Sequence, residues 1–434
     1  MRHIDGMNAP ISLSEAELAA LMREIGTRAR TASSDLSTSD AEARTAALRA
    51  MASGLRDASS IILDANAMDM VAAREKGLSP AMLDRLELTP ERINVMADGI
   101  VAIAELNDPI GDEIARWTVP SGLDIARVRT PLGVIGIIYE SRPNVTADAG
   151  ALCLRTANAC ILRGGSESSY SSGAIVDVLR GALRDNGLSE DAIQRVPTTD
   201  RAAVGEMLSG LAGTIDVIIP RGGKTLTARA QRDARVPVIG HLEGLVNMYV
   251  DGTINVEKAS EIILNAKLRR TGICGALETL LVDKKALSSH LPAIADALTA
   301  AGCELRGDDE ARRTVPDMAE ASVDDWSTEY LAPILAVRTV NGLEGALTHI
   351  AEYGSGHTEA ILTEDQATAD IFCKRVDASI VLHNASTQFA DGGEFGMGAE
   401  IGIATGRVHA RGPVGAEQLT IFKYVVRGTG QIRH

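Results

Sequence analysis

One cysteine in this sequence has neighbours that could make it a nucleophile. Cys274 stands in NAKLRRTGICGALETLLV (265–282), shortly after Lys267, Arg269 and Arg270 and between two nearby glycines. A positive charge close to a thiol favours the thiolate and lowers the thiol pKa. Small neighbours leave room for a substrate carbon to reach the sulfur. The alternative interpretation is a buried, unreactive cysteine beside a solvated basic helix end.

Two other segments combine a strand with an Arg-Gly-Gly turn. They are ILRGGSES (161–168) and IIPRGGKTL (218–226), and in the second Arg221 and Lys224 add full positive charges. Glycines after a strand let the backbone approach a phosphate, and a following helix N-terminus adds donors and partial positive charge. Two such turns at the carboxyl ends of parallel strands predict a nucleotide site, although either turn alone is compatible with an ordinary loop. The Gly-rich run GMGAEIG (396–402) lacks the GxGxxG spacing and is interpreted as a loop.

Amide and imidazole groups are the remaining candidates for chemistry. Arg142 and Asn144 lie between a predicted strand and a predicted helix in YESRPNVTADAG (139–150). An amide donor there could stabilise an oxyanion, or Asn144 could shape the turn while Thr146 caps the helix. The histidines form no HxxxH or HExxH pair, so the sequence predicts no metal site.

The elements that would position these residues form two α/β sets. Two segments of the first 105 residues carry apolar residues at helical spacing, which predicts helices at 40–57 and 90–105. Apolar strand candidates then alternate with helical segments, a pattern typical of parallel sheets covered by helices on both faces. The sequence predicts two α/β domains with the active site between them, and Cys274 on a turn between a helix and a strand. The strand candidates are 133–140, 159–164, 215–220, 237–240, 279–283, 333–340, 359–363 and 379–384.

Composition argues against several classes of protein. A net charge of −15 is opposite to that of most nucleic-acid binders, and 3% aromatic residues leave little for base or sugar stacking. The five cysteines are odd in number and form no CxxC, which argues against disulfides or a zinc site and suits a reducing compartment. No secretory signal or apolar run of ~20 residues is found, so we expect a cytoplasmic protein without nucleic-acid or membrane partners. Packing roles are expected for Cys153, Cys160, Cys303 and Cys373.

Several longer segments resemble the gamma-glutamyl phosphate reductase family, the proline-biosynthetic branch of the aldehyde dehydrogenase superfamily. The resemblance runs from about residue 40 to the C-terminus. Its most specific part is VNGLEGALTHIAEYGSGHTEAI (340–361), which fits the family's signature throughout. Further parts are PLGVIGIIYESRPNVTADAGALCLRTAN, ILRGGSES, IIPRGGKTL, the Cys274 segment, HNASTQFADGGEFGMGAE and HARGPVG.

The resemblance implies an aldehyde dehydrogenase-like α/β fold, with two doubly wound parallel-sheet domains and a small oligomerisation arm. The arm and the C-terminal strand TIFKYVV would build a homo-oligomer. The implied boundaries are 1–109 and 129–252 for the cofactor-binding domain, 253–405 for the catalytic domain, and 110–128 and 406–434 for the arm and C-terminal strand.

The resemblance also implies roles for individual residues. Cys274 matches the nucleophile, and Asn144 matches the oxyanion-hole asparagine, although Arg142 takes that position when no gap is allowed. Glu329, in EYLAP, matches the glutamate that contacts the nicotinamide ribose. The implied cofactor-phosphate residues are Arg163, Gly164, Gly165, Ser166, Arg221, Gly222, Gly223 and Lys224. The expected substrate-binding residues are Arg142, Arg269, Arg270, His357 and Ser386, and no metal ligand is expected.

The implied reaction is the second step of proline biosynthesis from glutamate. NADPH would reduce L-glutamyl 5-phosphate to L-glutamate 5-semialdehyde and phosphate through a thioester on Cys274, with no role for Glu243 as a base. Because the acyl phosphate is labile, we also expect transient contact with glutamate kinase. The sequence leaves NADP against NAD open, and it departs from many relatives at Thr271, Gly275 and Gln388.

Three other functions stay open at this point. A dehydrogenase of the same superfamily could use coenzyme A instead of phosphate. A cysteine hydrolase or acyltransferase would need no nicotinamide, although no histidine partner lies near Cys274 in the sequence. A silent assembly protein could keep the sheets and glycine loops as scaffold alone.

Overall fold

The protein alternates helices and strands, and its computed structural model describes residues 13–433. The helices are α1 (Glu15–Leu36), α2 (Ala41–Asp57), α3 (Ser59–Glu75), α4 (Pro80–Leu86), α5 (Pro90–Glu105), α6 (Asn144–Arg155), α7 (Ser169–Asp185), α8 (Ala202–Leu208), α9 (Lys224–Asp233), α10 (Val256–Leu268), α11 (Leu287–Ala300), α12 (Asp309–Thr314), α13 (Gly342–Tyr353) and α14 (Gln366–Arg375). The strands are β1 (Glu113–Thr118), β2 (Asp124–Pro131), β3 (Val134–Tyr139), β4 (Ala159–Arg163), β5 (Ile193–Arg195), β6 (Val217–Arg221), β7 (Asn247–Val250), β8 (Thr279–Asp283), β9 (Glu304–Gly307), β10 (Ala319–Glu320), β11 (Ile334–Val340), β12 (Thr358–Leu362), β13 (Ile380–His383), β14 (Ile403–Ala404), β15 (Gly412–Pro413) and β16 (Thr420–Arg427).

The helices predicted near the N-terminus are confirmed as α2 and α5. Helix α2 buries Leu48, Met51 and Leu55, residues three and four positions apart that form one apolar face. Asp40 caps this helix by accepting a hydrogen bond from a backbone N–H of the first turn. Helix α5 begins with Pro90 at its first turn, where the missing N–H has no cost. Their apolar faces join one core with β3, β4, α6 and α7.

A parallel four-stranded sheet has the order β5-β4-β3-β6. Every residue of β3 is buried, as expected for a central strand covered on both faces. The strand order turns back between β3 and β6, so their carboxyl ends lie side by side with Tyr139 opposite Arg221. The prediction of a strand at 237–240 is wrong, because this segment forms only an isolated bridge between Val238 and Ile218. Pro237 has no N–H to donate, which limits further pairing.

A parallel seven-stranded sheet has the order β10-β9-β11-β8-β7-β12-β13. The strands predicted at 279–283, 333–340, 359–363 and 379–384 are confirmed as β8, β11, β12 and β13. Strands β7 and β9 were not predicted, and each has only four residues. The two parallel sheets confirm the predicted α/β fold class, whereas the domain boundaries stay a prediction.

An antiparallel three-stranded sheet, in the order β1-β2-β16, joins the predicted arm to the C-terminal strand. Strand β16 pairs with β2 along its whole length, from Thr420 opposite Pro131 to Arg427 opposite Asp124. Large aromatic side chains remain exposed on this sheet: Trp117, Phe422 and Tyr424.

The cysteines and helices of the described residues test two further expectations. Cys153, Cys160 and Cys303 are buried, which confirms packing roles for them, but the packing role predicted for Cys373 is wrong because this residue is exposed on α14. Between residues 13 and 433, every helix falls short of the length or the apolar character that crossing a membrane requires.

Candidate active site

A cavity of about 870 Å3 lies between the two parallel sheets. The carboxyl ends of β3 and β6 line one side of it, through Glu140 to Arg142 and Arg221 to Lys224. The loops that enter β7, β8 and β11 at their amino ends line the other side, and they contribute Glu243, Cys274 and Glu329. Such a cleft at the point where a parallel sheet reverses its strand order is a common ligand site.

Cys274 lies on the turn between α10 and β8, as predicted, and its thiol lines this cavity. Burial raises the pKa of the thiol to about 11, while the positive charge of Arg221 opposes this effect. The predicted lowering by the preceding basic residues is therefore wrong. Lys267 is fully buried and pairs with Glu278, with Nζ 2.6 Å from Oε2, so its charge is neutralised away from the sulfur.

Gly244 lets the backbone of Cys274 pack directly against its own, and the sequence did not predict this contact. A Cβ at this position would lie 2.1 Å from the carbonyl oxygen of Cys274, far inside any real contact. The N–H of Gly244 donates to Oε1 of Glu329 at 2.9 Å and orients that carboxylate toward the cavity wall. The only sequence signal was a glycine shortly before a strand, in HLEGLVN.

Arginines supply most of the positive charge on the cavity wall, which acidic side chains also line. The cavity wall includes all three arginines predicted to bind substrate: Arg142, Arg269 and Arg270. It also includes Arg221, predicted to bind the cofactor phosphate, and Arg85, for which the sequence predicted no role. Burial lowers the pKa of Arg142, and the charge of Arg221 lowers it further. The guanidinium groups among these residues can each bind an anionic group of a ligand.

The second Arg-Gly-Gly turn lies in the cavity, with Arg221, Gly222, Gly223 and Lys224 along its wall. The N–H of Gly223 donates to a carboxylate oxygen of Glu140 at 3.0 Å. Lys224 forms an ion pair with Glu243. The donors that the sequence assigned to a cofactor phosphate are thus held by two carboxylates of the protein.

The first Arg-Gly-Gly turn lies elsewhere, because β4 is on the opposite side of β3 from β6. The four predicted residues of this turn are absent from the cavity wall: Arg163, Gly164, Gly165 and Ser166. Arg163 is buried, and its guanidinium donates to the carbonyl oxygens of Gly164 and Thr199 at 2.7 and 2.9 Å. In this arrangement its side chain supports the loop and does not reach the cavity.

Asn144 and Ser386 also lie outside the cavity wall. Asn144 is exposed at the start of α6, and its amide donates to Asp148 at 3.0 Å. Ser386 is buried and caps a short turn by accepting from the N–H of Gln388 at 3.3 Å. The side chain of Gln388 donates to the carbonyl of Ala266 at 2.8 Å, so this loop supports the helix that leads to the cysteine.

Two histidines lie beside the thiol, although they are far from it in the sequence. One ring nitrogen each of His241 and His357 and the sulfur of Cys274 all lie within 4.8 Å of one another. The two rings meet edge to face, with centroids 4.7 Å apart. His241 Nδ1 lies 2.7 Å from the carbonyl oxygen of Ile403, so Nδ1 carries the proton and Nε2 keeps a lone pair.

Both imidazoles are held in their neutral forms. Burial lowers the pKa of His241, and the charge of Arg221 adds to this effect. Burial also lowers the pKa of His357 to about 3, with a contribution from His241. His357 is fully buried and does not line the cavity. The side chain is therefore not in a position to make the direct substrate contact that the sequence had predicted.

Comparisons with known proteins agree on one family. The sequence model of the aldehyde dehydrogenase family matches residues 11–313. A gamma-glutamyl phosphate reductase from Hyphomonas neptunium is 60% identical over 427 residues, which cover 98% of this chain and 100% of the relative. One from Mesorhizobium japonicum is 59% identical over 414 residues, which cover 95% and 97%. The crystal structure of gamma-glutamyl phosphate reductase from Thermotoga maritima, 42% identical, matches with a TM-score of 0.93 and covers 95% of this chain and 100% of that one.

These matches confirm the family resemblance that the sequence motifs carried. The aligned regions span nearly the whole chain and include both sheets and the cavity between them. The chain therefore belongs to the gamma-glutamyl phosphate reductases, within the aldehyde dehydrogenase family of oxidoreductases.

Proposed function

We propose that this protein reduces L-glutamyl 5-phosphate to L-glutamate 5-semialdehyde and inorganic phosphate, the second step of proline biosynthesis from glutamate. The observation that carries the proposal is one cavity that combines the Cys274 thiol with the guanidinium groups of Arg142, Arg221, Arg269 and Arg270. A thiol can accept an acyl group, and arginines can bind a phosphate. The names of the relatives at about 60% identity support this substrate.

The arginines would recognise the two anionic ends of the substrate. Phosphate and carboxylate groups both match the two-pronged geometry of a guanidinium. Arg142, Arg269 and Arg270 are therefore the groups that bind the acyl phosphate and the alpha-carboxylate. We assign polarisation of the carbonyl oxygen to Arg142, because Arg142 lines the cavity, whereas Asn144 lies outside it and is bonded to Asp148.

Acylation of Cys274 begins with loss of the thiol proton. A thiol with a pKa of about 11 is ionised in only about one molecule in 3,000 at pH 7.5. A base is therefore needed, and the neutral His241, whose Nε2 has a free lone pair, can accept the proton directly or through one water. The sulfur then bonds to the carbonyl carbon, the bond from carbon to the phosphate oxygen breaks, and inorganic phosphate leaves with the electron pair.

Reduction of the thioester would complete the reaction. NADPH, the proposed cofactor, supplies a hydride when bound. The cavity volume and the glycines after β6 suit a nucleotide, since Gly222 and Gly223 are exposed where the strand ends. With the hydride added to the thioester carbon, the carbon–sulfur bond would break, so that the thiolate of Cys274 would be restored and the aldehyde released. Glu329, whose carboxylate accepts a hydrogen bond from the N–H of Gly244, would bind the ribose.

Assembly and location are proposed on the same basis. The exposed aromatic side chains of the three-stranded sheet, Trp117, Phe422 and Tyr424, would be covered by another copy of the chain in a homo-oligomer. Transient contact with glutamate kinase would protect the labile acyl phosphate, and a cytoplasmic location would keep the thiol reduced.

The test is the reverse reaction, followed as NADPH formation from glutamate 5-semialdehyde and NADP with and without inorganic phosphate. Phosphate-dependent turnover that is lost in Cys274→Ser but kept in Cys373→Ser supports both the substrate class and the nucleophile. Turnover that requires coenzyme A, or that needs no added acceptor, would assign the chain another reaction of the same family.

Two further variants test individual roles. Arg270→Ala should raise the phosphate or semialdehyde concentration required for half-maximal rate, and unchanged saturation would remove this residue from substrate recognition. Glu243→Gln should keep turnover, because no water has to be activated when phosphate accepts the acyl group. Loss of turnover in a folded Glu243→Gln protein would contradict the prediction that Glu243 is not required.

A further inference from the structure

The three side chains around the nucleophile have the composition of a metal site. Zn2+ prefers thiolate and imidazole ligands. The two neutral imidazoles can bind it as they are, and the thiol has only to lose its proton. Their ligand atoms already lie within 4.8 Å of one another. Tetrahedral zinc, at about 2.0 Å from nitrogen and 2.3 Å from sulfur, requires ligand atoms roughly 3.5 Å apart.

Two features of the histidines favour coordination. His357 is fully buried, and its Nε2 has no hydrogen-bond partner within the described part of the chain. His241 donates through Nδ1 to the carbonyl of Ile403, which leaves Nε2 as the ligand atom. A carbonyl that accepts a hydrogen bond from the other ring nitrogen in this way fixes the ring orientation of many zinc-bound histidines.

The surroundings allow a cation to enter and remain. His241 and Cys274 both line the open cavity, whereas His357 closes the cluster from behind. The carboxylates of Glu329 and Glu400 line the same cavity and attract a cation, although Arg221 opposes them. Cys274 and His241 lie on loops between helices and strands, where a contraction of little more than about 1 Å can be accommodated.

We propose that Cys274, His241 and His357 form an inhibitory Zn2+ site at the nucleophile, with one coordination position open to solvent. When zinc binds the sulfur, the thiol proton is released to the buffer. The sulfur electron pair that would attack the acyl phosphate is then shared with the metal and cannot react. The site thus makes the enzyme sensitive to free zinc, reversibly and in competition with acylation. The inhibition rests on the proposed function, because it requires Cys274 to be the nucleophile, whereas the metal binding itself does not.

Binding is tested directly with Co2+ as a spectroscopic substitute for zinc. We expect a sulfur-to-cobalt charge-transfer band and tetrahedral cobalt bands at one equivalent per chain, displaced by Zn2+. Cys274→Ser should lose the charge-transfer band, and His241→Ala should weaken binding at least about tenfold. Cys373→Ser is the matched control, since it removes an exposed thiol elsewhere and should leave the titration unchanged.

The wild type and Cys373→Ser are then assayed for zinc inhibition of phosphate-dependent activity and its reversal by a chelator, and both should be inhibited alike. His357→Ala removes a fully buried side chain and can unfold the protein, so His241→Ala, at a less buried residue, carries the metal-binding test, with melting temperatures measured without metal. Absence of the cobalt bands, or identical Zn2+ affinity in wild type and His241→Ala, overturns the proposal. Stoichiometric binding by a protein that has no phosphate-dependent activity would instead keep the metal site and overturn the proposed function.

Discussion

Substitution of Gly244 by alanine tests whether the backbone of the nucleophile is positioned by direct contact. The added Cβ would lie 2.1 Å from the carbonyl oxygen of Cys274 and 2.8 Å from its carbonyl carbon and Cα. Because ordinary contacts begin at about 3.4 Å, the cysteine backbone must move by more than about 1 Å. Alanine keeps the N–H that orients Glu329, so the change isolates the steric contact.

A displacement of this size should be costly for catalysis. Reacting groups misplaced by about 1 Å can lose about 100-fold in rate, which corresponds to about 2.7 kcal/mol of activation free energy. We expect kcat/KM for phosphate-dependent NADP reduction to fall by at least this factor. Overpacking should also lower the free energy of unfolding by about 1–3 kcal/mol, so rates must be normalised to folded protein.

Gly252→Ala provides the control. Gly252 follows the same strand, β7, at its other end, and a Cβ there meets Ala286 at no less than 3.6 Å. The control should therefore keep wild-type activity. If a folded Gly244→Ala protein retains kcat/KM within threefold of wild type, the cysteine loop adjusts freely and the positioning argument is wrong.

Three further variants test the support and ionisation of the nucleophile. Glu278→Gln leaves the fully buried ammonium of Lys267 unpaired, so the free energy of unfolding measured with urea should fall by about 3–5 kcal/mol, and an unchanged value would contradict this. Arg221→Gln removes the cation that lowers the pKa of the Cys274 thiol, so alkylation of that cysteine at pH 8, followed by peptide mass spectrometry, should slow several-fold as its pH profile moves upward. An unmoved profile would assign the effect to another charge. Gln388→Ala leaves two carbonyls at and just after the end of α10 without their amide donor. The free energy of unfolding should fall by about 1–3 kcal/mol, seen as a lower melting temperature. An unchanged melting curve would show that water replaces the amide donor.

Features with a local cause could be predicted from the sequence. The apolar spacing of α2 and the unbroken apolar run of β3 each reflect one buried surface. The short strand β7 could not be predicted, because Asn247 interrupts its apolar character. That residue is buried only because the carboxylate of Glu359, on the neighbouring strand β12, accepts hydrogen bonds from its backbone and side-chain N–H groups.

The part of the site whose residues are close together in the sequence could be predicted. The turn of Cys274 and the arginines beside it are close in sequence, and they do line one cavity. The histidines that flank the sulfur come from loops before two different strands, β7 and β12, so no spacing rule could pair them. Likewise, the positive charge that lowers the pKa of the thiol belongs to Arg221 of the other sheet, and the carboxylates that raise it belong to Glu329 and Glu400, all distant in the sequence.

The two Arg-Gly-Gly turns have the same sequence motif but different positions relative to the cavity. Both follow buried parallel strands, yet only the one after β6 lies at the cavity, because sheet order places β6 beside β3 at the reversal. Even there, Gly223 and Lys224 are engaged by the carboxylates of Glu140 and Glu243. A cofactor phosphate that binds this turn has to replace those charge-assisted bonds. Its affinity is therefore the difference between two sets of interactions, and a motif that records only the donors cannot give that difference.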